Sequence, residues 1–362
     1  MSMKSIALAL LFSLPSFGAY TGIRSITIAH TQVGSSDSSN FPIVVSGTYS
    51  YLATTANGGS VTNSSGFDIV FTSDSACSTN LHFQRALYTA TSGLVQFWVK
   101  LPTLSHTSDT VIYECYGNSS VTTDQQDATG TWDSNYRAVY HLQEASSPYL
   151  DSTANAINST SGTYPTQVAG LFGKAQQFVS ASSQFIQFPD AAASSSTSVT
   201  FSGWIKPTTS IINVLYDDRV NTGQHGGVLY ADGSSHASVY FNNVGTASGS
   251  TNLNDSNWHY IVGVMHFATP SDLIYVDGAL ITTVATGAWG GFGLSASARI
   301  GASADATPLY ANATMQEIRF SATERSADWI LAEYNNQKAG STMLTISSNL
   351  ATAGNSGGMI LQ

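Results

Sequence analysis

The stretch Asn257–Thr282, NWHYIVGVMHFATPSDLIYVDGALIT, constrains the fold more than any other part of the chain. A Trp-led apolar run from Trp258 to Phe267 breaks at Pro270, resumes over Leu273–Val276 and turns at Asp277-Gly278 into Ala279-Leu280-Ile281. Asp-Gly supplies the positive-φ residues that a two-residue hairpin turn needs, so the pattern predicts two strands closed by a hairpin. Both alternate faces of the first strand are apolar, with Trp258, Tyr260, Val262 and Val264 on one and Ile261, Met265 and Phe267 on the other. Such a strand belongs in a sheet covered on both sides or curved around its own core.

The surface must be built from uncharged polar groups, because only 9% of the 362 residues are charged while 42% are hydrophobic. Ser, Thr, Asn, Gln and Gly suit short strands and turns better than surface helices, which predicts an all-β protein. The length allows two domains. A formal charge of −10 without a Lys/Arg cluster argues against nucleic acid as a partner.

Met1–Gly18 carries a Lys, a short apolar run and the small-x-small end Ser16-Phe17-Gly18. This reads as a secretory signal peptide, the run falling short of the roughly 20 residues that a membrane span requires. No later segment has the length and apolarity of a span, so the expected product is secreted, either released or associated with a cell surface without a membrane anchor.

Strand-length apolar runs then follow: Ile26-Thr27-Ile28, Ile43-Val44-Val45, Ile69-Val70-Phe71, Val95–Leu101 and Val111–Tyr116. In Val95–Leu101, Val95, Phe97, Val99 and Leu101 alternate with Gln96, Trp98 and Lys100, the pattern of an antiparallel strand with one wetter face. These runs predict a first β-sandwich over 19–125. The polar, turn-rich stretch 126–135 reads as a linker, and 136–340 as a second sandwich followed by a 341–362 tail with weak strand character at Met343–Ile346. One helix is expected, over Ser326–Gln337. Ser326 can cap it, Asp328 sits in its first turn, and Trp329, Ile330, Glu333 and Tyr334 keep helical spacing, so that it packs against the end of the sandwich.

The segments NFPIVVSGTYSYL (40–52), GFDIVFTSD (66–74), VQFWVKLPTLSHTSDTVIYECYGN (95–118) and WDSNYRAVYHLQE (132–144) resemble an uncharacterised bacterial domain-of-unknown-function family that precedes a laminin-G-like domain. The segments AVYHLQE (138–144), GKAQQFVSASSQFIQFP (173–189), VTFSGWIKP (199–207), the WHYIVGV hairpin and MQEIRFSATERSADWILAEYNNQ (315–337) resemble a laminin-G-like, concanavalin-A-like jelly roll. The first resemblance implies no catalytic residue; the second implies a lectin or glucanase fold.

Cys77 and Cys115 are the two cysteines. An even pair in an exported chain points to a disulfide, with two unpaired thiols as the alternative. Candidate sites are few. The glutamates Glu114, Glu144, Glu317, Glu324 and Glu333 show no short-period pairing of the kind that a glycosidase needs, no nucleophile elbow is present, and no histidine pair has ligand spacing. Catalytic residues are therefore assigned to none.

Calcium is the metal best suited to a sandwich edge. Laminin-G-like relatives carry an acidic pair where this chain has Gln316-Glu317, so the resemblance leaves Asp151 and Glu317 as weak ligand candidates beside turn-capping and surface roles. Tyr216, Asp217, Arg219, His225 and Tyr230 cluster around one expected strand pair, and Trp289 with Phe292 lies in the Gly-rich loop AWGGFG. Aromatic rings flanked by charged groups suit sugars, whose CH faces and hydroxyls they can match.

The reading is an exported, non-catalytic glycan-binding or adhesion protein whose partner is a cell-surface polysaccharide or another surface protein. A structural sandwich of a cell surface or phage-related assembly is the alternative, and a glycoside hydrolase a distant third.

Overall fold

The computed structural model describes residues 20–189, 197–219, 226–241, 245–266, 271–285, 297–304 and 308–350. The chain is all-β, in two sandwiches. In the first, a four-stranded sheet runs Leu344–Ile346, Gly22–Ile28, Thr110–Tyr116, Val70–Thr72 and faces a three-stranded sheet ordered Ser38–Thr48, Leu94–Leu104, Phe83–Thr89. Between them Phe71, Phe83 and Phe97 meet edge to face at 5.1–6.1 Å. The disulfide Cys77–Cys115 is formed, with Cα atoms 6.2 Å apart.

The second sandwich packs an eight-stranded sheet on a seven-stranded one around a core that includes Phe201, Ile205, Leu229, Val239, Ile261, Met265 and Phe320. His259–His266 pairs antiparallel with Ser271–Val276, and Asp277 at φ 52° with Gly278 at φ 80° closes the next hairpin, from Ser271–Val276 to Ala279–Ala285. Ile261 and Met265 point into this core, while Tyr260, Val262 and Val264 join Trp204, Tyr275 and Ile330 in a separate cluster on the outer side. The two-faced apolar strand is thus explained by a helix lying over it.

That helix, Ala327–Gln337, is capped by Ser326 Oγ, which accepts from the Trp329 N–H at 3.2 Å. It was expected at the end of one sandwich and instead forms the seam between the two. Trp329 meets Phe41 at 4.8 Å, and Asp328 accepts from the hydroxyls of Ser35 and Ser36 at 3.0 and 2.6 Å. Asn336 reads the edge strand Ser38–Thr48 as another strand would, accepting from the Val44 N–H at 2.7 Å and donating to the Val44 carbonyl at 3.2 Å. The edge is blunted by a side chain. Tyr334 stacks on Trp204 from the other side, 5.9 Å between ring centres.

The wetter face expected for Val95–Leu101 is corrected here, since Gln96 and Trp98 are fully buried. They lie on the outer face of the three-stranded sheet, which the second sandwich covers. Leu344–Ile346, in the segment expected as a tail, pairs antiparallel with Ile26–Ile28 of the first sandwich. The 126–135 stretch contains the short helix Ala128–Thr131 and the buried Trp132, whose ring lies 5.3 Å from that of Trp98.

Candidate functional site

The outer face of the seven-stranded sheet carries the candidate site. Asn213–Asp217 pairs with Gly227–Ala231, which pairs with His236–Phe241. Leu229, Ala231, Ala237 and Val239 turn into the core, so strand alternation sends Val228, Tyr230 and Tyr240 outward. Asp217, Val228 and Tyr240 are in register across the three strands, with Val214, Tyr230 and Ser238 forming the next row. Of these, Val214, Val228, Tyr230 and Tyr240, together with Ile212, Arg219, Ser303 and Leu309, line a depression of about 220 Å³.

Arg219, the one cation among the described lining residues, is fixed in place. The Asp217 carboxylate, fully buried, accepts from the Arg219 backbone N–H at 2.9 Å, from its Nε at 3.0 Å, from its Nη2 at 2.6 Å and from the Ala304 N–H at 2.9 Å. The guanidinium therefore cannot swing freely, and it lies 5.3 Å from the centre of the Tyr240 ring. Tyr230 is half-buried, and burial raises its hydroxyl pKa above the ordinary value. Leu309 of the lining stands exposed, as does Ile211 beside the lining residue Ile212. A neutral phenol, a second aromatic ring and a tethered guanidinium can hold the CH face of a ring and donate to its hydroxyls.

Of the residues expected here, the structure brings together Asp217, Arg219 and Tyr230. Tyr216 is corrected: it is 1% exposed, inside the core against Phe201 and Phe320 at 5.1 and 6.0 Å. A register shift between Val214 and Tyr216 puts Leu215 and Tyr216, neighbours in sequence, both into the core. Strict alternation fails at such a bulge. His225, Trp289 and Phe292 lie outside the described residues. Tyr240 and Leu309 were missed by the sequence reading; Tyr240 could have been found from its outward register opposite Val228.

The two weak metal candidates, Asp151 and Glu317, are each held by hydrogen bonds within the fold. Asp151 accepts from the N–H groups of Val139, Thr153 and Ile157 at 2.9–3.0 Å and from the Thr153 hydroxyl at 2.8 Å, so its carboxylate organises a loop. Glu317 is fully buried at the seam, where it meets His141 Nδ1 at 2.9 Å, Arg319 Nη2 at 3.0 Å and Gln96 Nε2 at 3.0 Å. Burial opposes ionisation of Glu317, but His141 and Arg319 outweigh it and hold the carboxyl below its ordinary range. Both carboxylates are engaged by protein donors. Among the described residues no group of three or more His, Cys, Asp or Glu is placed to hold a metal ion.

Arg319 also binds Glu333 Oε1 at 2.7 Å and lies over Trp98 at 4.4 Å. Glu317 and Glu333 are thereby bridged by one arginine and closed off from solvent, which denies them the substrate access that acid–base work requires.

Residues 180–331 match the model described as the Concanavalin A-like lectin/glucanases superfamily, and residues 65–158 the model described as Domain of unknown function (DUF2341). The latter runs through the 126–135 stretch. No curated protein matches the chain. Among solved structures, the binding domain of Paraclostridial Mosquitocidal Protein 1 is 12% identical with a TM-score of 0.45, over 56% of this chain and 52% of that one. The binding domain of botulinum neurotoxin serotype D/C is 11% identical with a TM-score of 0.42, over 56% and 52%. The chain spans about half the length of these structures, and likeness at that level carries no functional argument. The family matches agree with the two sandwiches described above: the chain carries a domain of unknown function followed by a laminin-G-type domain of the concanavalin A-like lectin/glucanase superfamily.

Proposed function

We propose that this is an exported, non-catalytic glycan-binding or adhesion protein that engages its ligand through the depression at Arg219, Tyr230 and Tyr240. The observation that carries the reading is the pairing of two outward tyrosines with a guanidinium locked by a buried carboxylate, on a lectin-type sandwich. Preorganised groups lose little freedom on binding, so a shallow site of this size suits one terminal sugar ring. Export is read from the leader-like sequence of Met1–Gly18. The exposed Leu309 and Ile211 favour a second reading, contact with a surface protein, whose anchors would be apolar.

A glycan array probed with the mature chain, with and without Ca²⁺, tests this directly. Tyr230→Ala and Tyr240→Ala should each lose the glycan signal while melting within a few degrees of wild type. Folded variants with an unchanged glycan profile would move the site elsewhere, and a wild-type chain blank on the array would leave the protein-partner reading in its place.

A further inference from the structure

A cavity of about 620 Å³ lies in the first sandwich, on the outer face of its four-stranded sheet. That is within the roughly 300–1,000 Å³ of small-molecule sites. Ile23, Val121 and the Cys77 arm of the disulfide give it an apolar floor. Its walls are uncharged and polar, with Tyr20, Asn80, Asn118, Ser120, Thr122 and Gln125 facing it.

The walls are fixed. The disulfide ties the 74–80 loop to the sheet, and Asp74 holds that loop by accepting from the N–H groups of Ala76, Ser78 and Thr79 at 2.8–3.1 Å. Opposite, the Val121 N–H donates to the Asn118 carbonyl at 3.0 Å. Gly117, at φ 81°, starts this turn where a Cβ would strike the Thr21 hydroxyl.

Hydrogen-bonding capacity is left over inside. Asn118 is only 6% exposed, and its Oδ1 is pinned by the Ser120 N–H at 3.0 Å, which leaves its Nδ2 without a protein acceptor among the described residues. Asn118 lines the cavity, so this nitrogen is available to donate to an occupant. The Asn80 amide and the Tyr20 hydroxyl likewise make no hydrogen bond to the described residues, and burial raises the Tyr20 pKa and keeps it a neutral donor.

We infer that this cavity is a second binding site, for a neutral saccharide unit. Amides, hydroxyls and a phenol match sugar hydroxyls, the apolar floor matches a CH face, and the lining has no cation among the described residues to neutralise a carboxylate, sulfate or phosphate. The site is separate from the depression on the second sandwich and does not depend on it.

The test is calorimetric titration of the full chain lacking its leader with manno-, cello- and chito-oligosaccharides, with oligogalacturonate as the acidic control. Asn118→Asp keeps the Oδ1 acceptor for Ser120 and turns the free donor into a charged acceptor; Asn80→Ala removes an exposed amide that supports nothing in the fold. Each should weaken binding of the neutral oligosaccharide by about tenfold or more, the scale of one lost hydrogen bond. Asn80→Ala should do so with an unchanged melting temperature, which keeps the test decisive if Asn118→Asp destabilises. The inference is overturned if no neutral oligosaccharide binds at millimolar concentration, if binding survives both substitutions, or if oligogalacturonate binds equally well.

Discussion

Glu114→Gln isolates the most exposed weakness of the first sandwich to pH. Glu114 sits on Thr110–Tyr116, opposite Arg24 on one neighbouring strand and Phe71 on the other, and it is completely buried. Its Oε2 accepts from Tyr51 Oη at 2.9 Å, while Oε1 has no partner. Burial pushes the carboxyl from 4.5 to about 7, the Tyr51 hydrogen bond and the Arg24 charge offsetting only part of that rise. The unfolded chain releases this proton near 4.5 and the folded chain near 7, so between those values the folded state holds the extra proton. Stability therefore falls as pH rises through that window. At about 1.4 kcal/mol per pH unit the loss amounts to about 3 kcal/mol. Glutamine has nearly the same shape and cannot ionise. The variant should match wild type within about 1 kcal/mol at pH 4 and exceed it by about 2–3 kcal/mol at pH 8. Urea unfolding at pH 4, 6 and 8, followed by tryptophan fluorescence, measures the difference. A gap between the two proteins that stays constant with pH would show that Glu114 does not titrate in that window, and the reasoning would fail.

Three further outcomes are expected. Removing the disulfide by Cys77→Ala/Cys115→Ala, across a separation of 38 residues, should cost about 4 kcal/mol in the chain-entropy account, read from thermal or urea unfolding. Arg319→Met strands Glu317 and Glu333 at the seam and should cost about 3–5 kcal/mol, while adding Glu333→Gln should recover part of it; full additivity of the two costs would argue against a shared network. A fragment ending at residue 125 lacks the Leu344–Ile346 strand and the packing of Trp329 and Met343, so it should show poor chemical-shift dispersion by NMR, and a well-folded fragment would refute the dependence.

The sequence read alone reaches as far as local periodicity and turn chemistry extend. The Asp277-Gly278 hairpin, the Ser326 cap and the inward set Phe97, Val99 and Leu101 follow from interactions within a few residues or along one strand, and they stand in the structure. The Cys77–Cys115 pairing was legible because only two cysteines exist. Asp217, Arg219 and Tyr230 were legible as a cluster because two short strands bring them together.

What the tertiary structure alone decided involves segments far apart in the chain. Gln96 meets Glu317 across 221 positions and Asn336 meets Val44 across 292, and no periodicity within either segment encodes such meetings. Gln96 and Trp98 looked solvated because a strand's alternation says which residues share a face and nothing about what covers it. Tyr216 went inward because one extra residue at a bulge reverses alternation, a change of backbone register that composition does not carry. Asp151 and Glu317 looked like spare carboxylates for the same reason: whether an acid faces a cation, an amide or an arginine depends on which strands and loops arrive beside it, and those arrive from elsewhere in the chain.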